Sequence, residues 1–250
     1  MRGMEQTLFR PLHVGTYFAA CSSCNLREIC LPVGLNKAEL EYVEQRLVAV
    51  RRKVARGALL YHAGDSFEAL YAVWTGFFKT RLSSKDGRDQ VTGFQMGGEF
   101  MGLDGIATRR HVVDAVALED SQVCVIPFDE LEALTQEVAS LQQQFHKIMG
   151  FEIVHHQSVM LLLGSMYAEE RLAAFLLNLT HRLQLRGYSA SAVLLRMTRE
   201  EIGSYLGLTL ETVSRTFSKF QANGLLTVRN RQLRITDPEG LQAVLDGTRA

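Results

Sequence analysis

The sequence predicts an α+β protein with an N-terminal antiparallel β-roll, a long helix and a C-terminal winged helix-turn-helix. Three observations support this order of elements. Residues 50–127 contain short β-rich runs separated by glycines, which is typical of an antiparallel sandwich or roll. Residues 128–167 carry apolar residues at helical spacing. Residues 198–235 combine two short helical patterns, separated by a glycine, with a hairpin pattern.

The chain divides into four segments on this basis. The segments are a cysteine-containing stretch over 1–36, the β-roll over 37–128, the long helix over 129–167 and the winged helix-turn-helix over 168–250. The β-roll segment begins with a short helix predicted over 37–48. Its β-rich runs are 58–61, 70–75, 77–82, 90–94, 111–118 and 122–126.

The composition indicates a globular protein. The chain has 250 residues, of which 47% are hydrophobic, and this is enough for one large domain or two small ones with proper cores. The longest apolar run, residues 159–168, is too short to cross a bilayer. Residues 1–15 have scattered charges and lack the apolar stretch of a secretory signal. We therefore expect a cytoplasmic protein without a membrane partner.

Charge is distributed unevenly along the chain, although its formal net charge is zero. Residues 168–250 contain 11 Lys and Arg against 8 Asp and Glu, so the C-terminal part is positive and the remainder is negative. A nucleic-acid-binding module needs clustered cations for its contacts with phosphate. The asymmetry is a mild indication that the C-terminal part is such a module.

Residues 128–167 are predicted to form a nearly unbroken helix with two apolar stripes. The first stripe contains Val138, Leu141, Phe145, Ile148, Val159 and Leu162. The adjacent stripe contains Met149, Ile153, Met160 and Leu163. Two stripes indicate that the helix packs on its own domain with one face and on another surface with the other face. A long core helix is the alternative.

Residues 168–186 are predicted to form a helix and residues 187–193 a loop. The helix-turn-helix that follows is predicted from local signals. Thr198 and Glu201 have the spacing of a capping box, and Gly207 ends the first short helix. The second helix begins near Thr209, and its inward positions are Leu210, Val213, Phe217 and Phe220. After it, two alternating runs flank Arg229 and Arg231, as expected for a β-hairpin wing.

The outward face of the second helix carries side chains that can read DNA. Arg215 can donate two hydrogen bonds to guanine, Glu211 can accept one from cytosine, and Ser214 can contact a base or a phosphate. These positions lie three and four residues apart, so they share one helix face. A solvated helix face is the alternative, but the capped first helix, the glycine turn and the basic wing together favour binding to double-stranded DNA.

The run over residues 197–217 closely resembles the helix-turn-helix of the CRP superfamily, and specifically that of the fumarate-and-nitrate-reduction regulators. The resemblance covers nearly the whole chain, including residues 168–175 and 123–127. In that family, the positions matching Glu211, Ser214 and Arg215 read half-sites of a TTGAT-type palindrome. The resemblance therefore implies a transcription regulator with the same class of operator.

All four cysteines fit one pattern of ligands. Cys21, Cys24 and Cys30 are separated by two and by five residues, and Cys124 follows much later in the chain. Thiolates bind iron–sulfur clusters or zinc, and a disulfide is not expected in a reducing cytoplasm. The spacing favours a cluster over zinc, and it leaves open that Cys124 is an unligated buried thiol. The resemblance implies that these four cysteines bind a [4Fe-4S] cluster, as in the oxygen-sensing members.

The same resemblance implies how the regulator responds to oxygen. In the family, the intact cluster favours a homodimer that binds DNA, and oxygen favours a monomer that binds DNA poorly. The dimer face that matches relatives contains His146, Met149, Ile153, His156, Met160 and Leu163. Relatives can carry an acidic residue at the position of His156, where paired negative charges keep the cluster-free protein monomeric. This chain departs from that pattern, so we expect its dimerisation near pH 8 to depend less on the cluster.

A second hypothesis is a regulator that senses a small ligand, such as a nucleotide, and has a zinc or structural cysteine site. Superfamily members that bind cyclic nucleotides place Arg and then Ser or Thr after a turn like that of residues 98–102. Here the aligned positions hold His111 and Val112, which supply no fork for a phosphate. Arg109 and Arg110 lie close by, and a solvated loop is the favoured interpretation of both.

The sequence does not predict an enzyme. It lacks a Walker phosphate loop and a nucleophile elbow, and its 7 histidines have no metal-ligand spacing. Residues 83–89 occupy a position similar to a β-roll loop through which the superfamily contacts RNA polymerase. An ordinary charged turn is the alternative interpretation of that loop.

Overall fold

The computed structural model describes residues 21–47, 50–84, 86–189 and 191–248. Within these ranges it contains a β-roll, two consecutive helices and a winged helix-turn-helix, so the predicted fold class is confirmed. The prediction that residues 1–15 lack a secretory signal, and the part of segment 1–36 before Cys21, lie outside the described residues.

The β-roll consists of two four-stranded antiparallel sheets preceded by helix α1, Lys37–Arg46. Its strands are β1 Val50–Val54, β2 Leu59–Tyr61, β3 Ala69–Thr75, β4 Phe77–Ser83, β5 Asp89–Met96, β6 Phe100–Met101, β7 Asp114–Ala117 and β8 Ser121–Pro127. The strand orders are β1-β8-β3-β6 and β2-β7-β4-β5. The side chains of Val73, Phe78 and Val123 are buried in one cluster between the sheets, whereas Leu70, next in the alternation of β3, belongs to the cluster that packs against the helices.

A glycine makes the tight connection between β3 and β4 possible. Gly76 has a φ of +93°, a left-handed conformation that other residues rarely adopt. A Cβ atom at this position would also overlap the side chain of Ser121 at the start of β8. The connection therefore depends on glycine both for its backbone angle and for space.

The helix predicted as nearly unbroken over 128–167 is divided once, at Val138. The structure has helix α2, Phe128–Glu137, and helix α3, Ala139–Ser165, separated at Val138 by an extended conformation with φ −121° and ψ 99°. Buried residues of both helices, including Leu131 in α2 and Leu141 in α3, contact the same hydrophobic core. One straight helix would carry its second half away from that core, and the break at the buried Val138 keeps both halves in contact with it.

The C-terminal part forms the winged helix-turn-helix. Its elements are α4 Ala168–Gln184, β9 Ala192–Leu194, α5 Arg199–Leu206, α6 Leu210–Ala222, β10 Leu226–Arg229, β11 Gln232–Ile235 and α7 Pro238–Leu245. Strand β9 completes a three-stranded sheet in the order β10-β11-β9 and lies partly in residues 187–193, which the sequence predicts as a loop. Gly207, with φ +63°, ends α5 in the left-handed conformation and directs the chain into α6.

The β-roll and the DNA-binding part share one hydrophobic core. Phe94 of β5 packs against Phe175 of α4 and Tyr205 of α5. Two polar contacts extend this interface: Lys79 Nζ lies 2.6 Å from Glu201 Oε1, and Glu99 pairs with Arg182 of α4 and with Arg186 just after that helix. Among the described residues, no helix is both long and apolar enough to span a membrane.

Candidate metal centre and nucleic-acid interface

The four cysteines predicted as metal ligands line one cavity. Cys21 and Cys24 lie in successive turns, Cys30 follows the 3-10 turn Arg27–Ile29, and Cys124 lies in the middle of β8. All four are half-buried free thiols. The fold therefore brings together three neighbouring cysteines and one that is distant in the sequence.

Packing on the β-roll positions the three neighbouring cysteines. The side chain of Leu26 packs on Gly97, and the side chain of Ile29 packs on Gly98. The contact at Gly98 is so close that a Cβ atom there could not fit without a shift. Backbone hydrogen bonds of 3.1 and 3.2 Å close consecutive turns, from Cys24 N to Cys21 O and from Arg27 N to Cys24 O. The two glycines thus let an irregular, turn-rich segment lie flat against the roll.

Burial makes the thiols of Cys21, Cys30 and Cys124 poor acids in the absence of a metal. It raises the pKa of Cys21 to about 12, and the neighbouring Cys124, Glu44 and Cys24 add to that rise. Burial likewise raises the pKa of Cys30 to about 12 and raises that of Cys124. A bound metal is the strongest stabiliser of neighbouring thiolates, because its charge removes the penalty for deprotonation.

The donor set of the cavity fits an iron–sulfur cluster. Four cysteine thiolates are the usual ligands of a cubane cluster, and each of them binds a different iron. The remaining lining is mainly apolar, with Leu31, Val43, Leu47 and Ile126 among its side chains. Within the described ranges, no group of three or more His, Cys, Asp or Glu side chains is arranged so that it could hold a metal ion.

The β-roll position that aligns with a cyclic-phosphate site is filled by the protein itself. His111 is only 3% exposed, and its ring stacks on Tyr61 with a centroid distance of 3.7 Å. His111 Nδ1 lies 3.7 Å from Asp104 Oδ1, so an acidic group rather than a phosphate-binding cation faces it. Val112 is exposed. These contacts do not favour the nucleotide hypothesis.

The two neighbouring arginines have partners within the protein. Arg109 Nη1 lies 2.7 Å from Asp129 Oδ1, and its guanidinium lies over the ring of Phe128. Arg110 Nη1 donates to the carbonyl of Gly64 at 2.8 Å. Both arginines are largely exposed, in agreement with the interpretation of this stretch as a solvated loop.

The second helix of the helix-turn-helix, α6, presents the three residues predicted to read DNA. Glu211 and Arg215 are exposed and Ser214 is half-buried. Phe217 and Phe220 on the opposite face are each 1% exposed and fix the helix to its domain. Of the predicted inward positions of α6, Val213, Phe217 and Phe220 are buried, whereas Leu210 is 48% exposed. The prediction for Leu210 is wrong because it is the first residue of α6, at the end of the face that the later residues bury.

The predicted wing is the hairpin of β10 and β11. Its turn contains Asn230 in a left-handed conformation with φ +57°. Arg229 and Arg231 flank this turn and are exposed, and Arg231 Nη1 lies 3.5 Å from the carbonyl of Arg196. Both guanidinium groups are therefore accessible to a phosphate backbone.

The predicted dimer face of α3 is divided between exposed and half-buried residues. Ile153, His156 and Met160 are exposed, and Met149 and Leu163 are half-buried. The sequence interpretation missed further exposed apolar residues on α3, which are Phe151, Val154 and Leu161. Their spacing of three and seven residues is itself a helical stripe and could have revealed them.

Two family models match the chain, and the curated relatives are regulators of transcription. The Crp-like helix-turn-helix domain matches residues 170–244, and the cyclic nucleotide-binding domain matches residues 51–138. The chain is 47% identical over 227 residues to the transcriptional regulatory protein btr of Bordetella pertussis, covering 91% of this chain and 93% of that protein. It is 39% identical to the fumarate and nitrate reduction regulatory protein of Yersinia pestis, covering 95% of this chain and 94% of that protein.

A third relative and a solved structure extend the similarity. The transcriptional activator protein Anr of Pseudomonas protegens is 41% identical, covering 92% of this chain and 94% of that protein. The structure of FixK2 from Bradyrhizobium japonicum has a TM-score of 0.74 and 31% identity, covering 82% of this chain and 98% of that chain.

Proposed function

Since the chain belongs to the CRP/FNR family of transcription regulators, we propose that it is a cytoplasmic oxygen sensor that holds a [4Fe-4S] cluster. In this proposal, the cluster-bearing protein dimerises and binds TTGAT-type palindromic operators to control anaerobic gene expression. As a family member it is a DNA-binding regulator and not an enzyme. The observation that carries the proposal is the meeting of all four cysteines in one cavity.

In this proposal, Cys21, Cys24, Cys30 and Cys124 hold the cluster, which supplies the reactivity toward oxygen. The segment 1–36 is the cluster-binding segment and 129–167 contains the dimerisation helix. Leu26 and Ile29 hold the cysteine turns against the roll. Binding or loss of the cluster by the cysteines would therefore change how this segment packs on the roll. Retention of the cluster by the cysteines is thereby linked to the shape of the sensor domain.

DNA recognition is assigned to α6 and the wing. Arg215 and Glu211 would contact base edges, Ser214 a base or a phosphate, and Arg229 and Arg231 the backbone. A homodimer places two such helices about a twofold axis, which matches the symmetry of a palindromic operator.

The dimer is assigned to the exposed apolar face of α3. Ile153 is 60% exposed and Met160 is 65% exposed. Other apolar residues of the same helix are exposed as well. A second copy that packs its own α3 against this face would cover these side chains and make the helix pair the dimer core.

The deciding experiment is purification without air, followed by determination of iron and sulfide and by operator binding before and after exposure to air. We expect iron and sulfide near the ratio of a cubane cluster, together with loss of specific DNA binding in air. A colourless protein that carries zinc or no metal, even after anaerobic reconstitution, would instead support the hypothesis of a small-ligand sensor with a structural cysteine site.

RNA polymerase is the proposed partner of the loop between β4 and β5, residues 83–89. Within the loop Arg88 pairs with Asp86 at 2.8 Å, and at its base Arg81 of β4 pairs with Asp89 of β5 at 3.0 Å. We expect charge-reversing substitutions of Asp86 or Arg88 to leave operator binding unchanged and to lower transcription activation. Full activation by both variants in a reconstituted transcription assay would remove this assignment.

We predict that His156 makes dimerisation of the cluster-free protein dependent on pH. Two protonated imidazoles near a twofold axis repel each other and two neutral ones do not, so the dimer is favoured at about pH 8 and weakened at about pH 6. Sedimentation equilibrium over this range measures the effect.

The control for this prediction is His156→Gln, because other groups on α3 titrate as well. Burial lowers the pKa of the neighbouring His155, and burial raises the pKa of Glu152 one turn earlier. The Nδ1 atom of His156 lies 2.8 Å from the carbonyl of Glu152, a contact within the helix. If wild type and variant show the same pH dependence, His156 is not the switch.

A further inference from the structure

Arg51 lies beside the cysteine cavity on a neighbouring strand. In the antiparallel pairing of β1 with β8, Arg51 is directly opposite Cys124. Residues directly opposite each other in such a pair extend their side chains to the same side of the sheet. The register therefore places a permanently charged guanidinium next to a proposed cluster ligand.

The guanidinium is held in place by an aromatic ring. The Cζ atom of Arg51 lies 3.7 Å from the centroid of the Trp74 ring, which is the geometry of a close cation–π stack. Trp74 itself lines the cavity together with all four cysteines. The ring thus fixes the orientation of the cation at the wall of the cavity.

One donor of this guanidinium has no partner. The Nε atom of Arg51 is buried and makes no hydrogen bond within the described part of the chain. A buried donor without a partner costs free energy of folding. We therefore expect this N–H group of Arg51 to have an acceptor or a negative charge beside it. Sulfur atoms in the cavity are such acceptors, and the strand register places Cys124 directly opposite Arg51.

We propose that Arg51, stacked on Trp74, is a positioning residue for the cluster, where its cation compensates the negative charge of the thiolates and its unpaired N–H donates to sulfur. This inference rests on the proposed function, because it requires the cluster. Net charge and hydrogen bonds to sulfur set the stability and potential of iron–sulfur sites. The arginine therefore retards loss of iron from the site and raises its reduction potential.

The test compares Arg51→Gln and Arg51→Lys with the matched control Arg52→Gln. Arg52 is the next residue of β1, is exposed and is paired with Val123 rather than with a cysteine. The three variants and the wild type are reconstituted without air and challenged with an iron chelator, and the loss of visible absorbance is followed. Their reduction potentials and the thermal unfolding of their cluster-free forms are measured in parallel.

We expect Arg51→Gln to lose iron about 10-fold faster than wild type, with a more negative potential. Arg51→Lys should fall between the two, because it keeps the charge and loses the flat stack, and Arg52→Gln should match wild type. Trp74→Phe changes no charge. It should speed iron loss and lower the reduction potential, as Arg51→Gln does, but by a smaller amount. This variant provides the test if Arg51→Gln unfolds when cluster-free.

The outcomes separate this inference from the function on which it rests. If the wild type takes up no iron and sulfide, the proposed function fails. If the wild type holds a cluster but Arg51→Gln and Arg52→Gln match it in iron loss and potential, the cluster stands and the role of Arg51 is overturned. Equal losses in Arg51→Lys and Arg51→Gln would overturn the contribution of charge.

Discussion

Replacement of Cys124 by serine should abolish cluster retention and anaerobic activation while leaving the β-roll folded. Cys124 is the only proposed ligand outside residues 21–30, so in the proposed cluster its thiolate would tie the cysteine segment to the sheet. Serine removes one ligand at almost no cost in volume. Because Cys124 is only half-buried, we expect the free energy of unfolding of the cluster-free protein to change by about 1 kcal/mol or less.

The measurements for this variant are iron and sulfide content after anaerobic reconstitution, expression from an operator-controlled reporter without oxygen, and circular dichroism. The same losses are expected for Cys21→Ser, Cys24→Ser and Cys30→Ser. Gln122→Ala is the matched control, since Gln122 is a half-buried residue of the same strand that does not line the cavity. Normal anaerobic activity of Cys124→Ser would show that the assignment of four ligands is wrong.

Replacement of Arg215 by alanine should cost roughly 1 to 3 kcal/mol of specific DNA binding and relax the choice of base at the contacted guanine. Arg215 is exposed on α6, whose other face is anchored by the buried Phe217 and Phe220. Truncation should therefore leave the domain folded and remove one bidentate contact. The measurement is the dissociation constant for the operator, for operators changed at the guanine and for random DNA, all at one salt concentration.

Alanine variants of the two wing arginines are the comparison for Arg215→Ala. Arg229→Ala and Arg231→Ala should weaken binding to all sequences alike and lower the salt dependence by about 0.9 in the slope of log K against log salt. These arginines flank an exposed hairpin turn and have no base-reading geometry assigned to them. Equal losses from Arg215→Ala on the operator and on random DNA would contradict its role in base reading.

The helix-turn-helix could be predicted from the sequence because its signals are local. The structure confirms the capping box, in which Thr198 accepts from Glu201 N at 3.1 Å and Glu201 accepts from Thr198 N. Gly207 ends α5 in the conformation that glycine adopts without strain. Such signals act within one helical turn and need no information about distant parts of the chain.

Other local predictions failed where tertiary packing decided the outcome. The apolar pattern of residues 128–167 continues across Val138, but the chain breaks there because two helices share one core. Strand β9 forms in residues that read as a loop, since its pairing partner β11 lies about forty residues later in the sequence. Pairing of this kind depends on long-range contacts that periodicity does not report.

The sequence by itself determined the order of the structural elements and predicted which face of α6 reads DNA and which four cysteines act as ligands, because residue type and short spacing carry this information. Only the tertiary structure brought Cys124 into the cavity of Cys21, Cys24 and Cys30. It also placed Arg51 opposite Cys124, through a strand register that no local pattern specifies. Register follows from the packing of two whole sheets, and so the surroundings of the cysteines emerge only when the chain is folded.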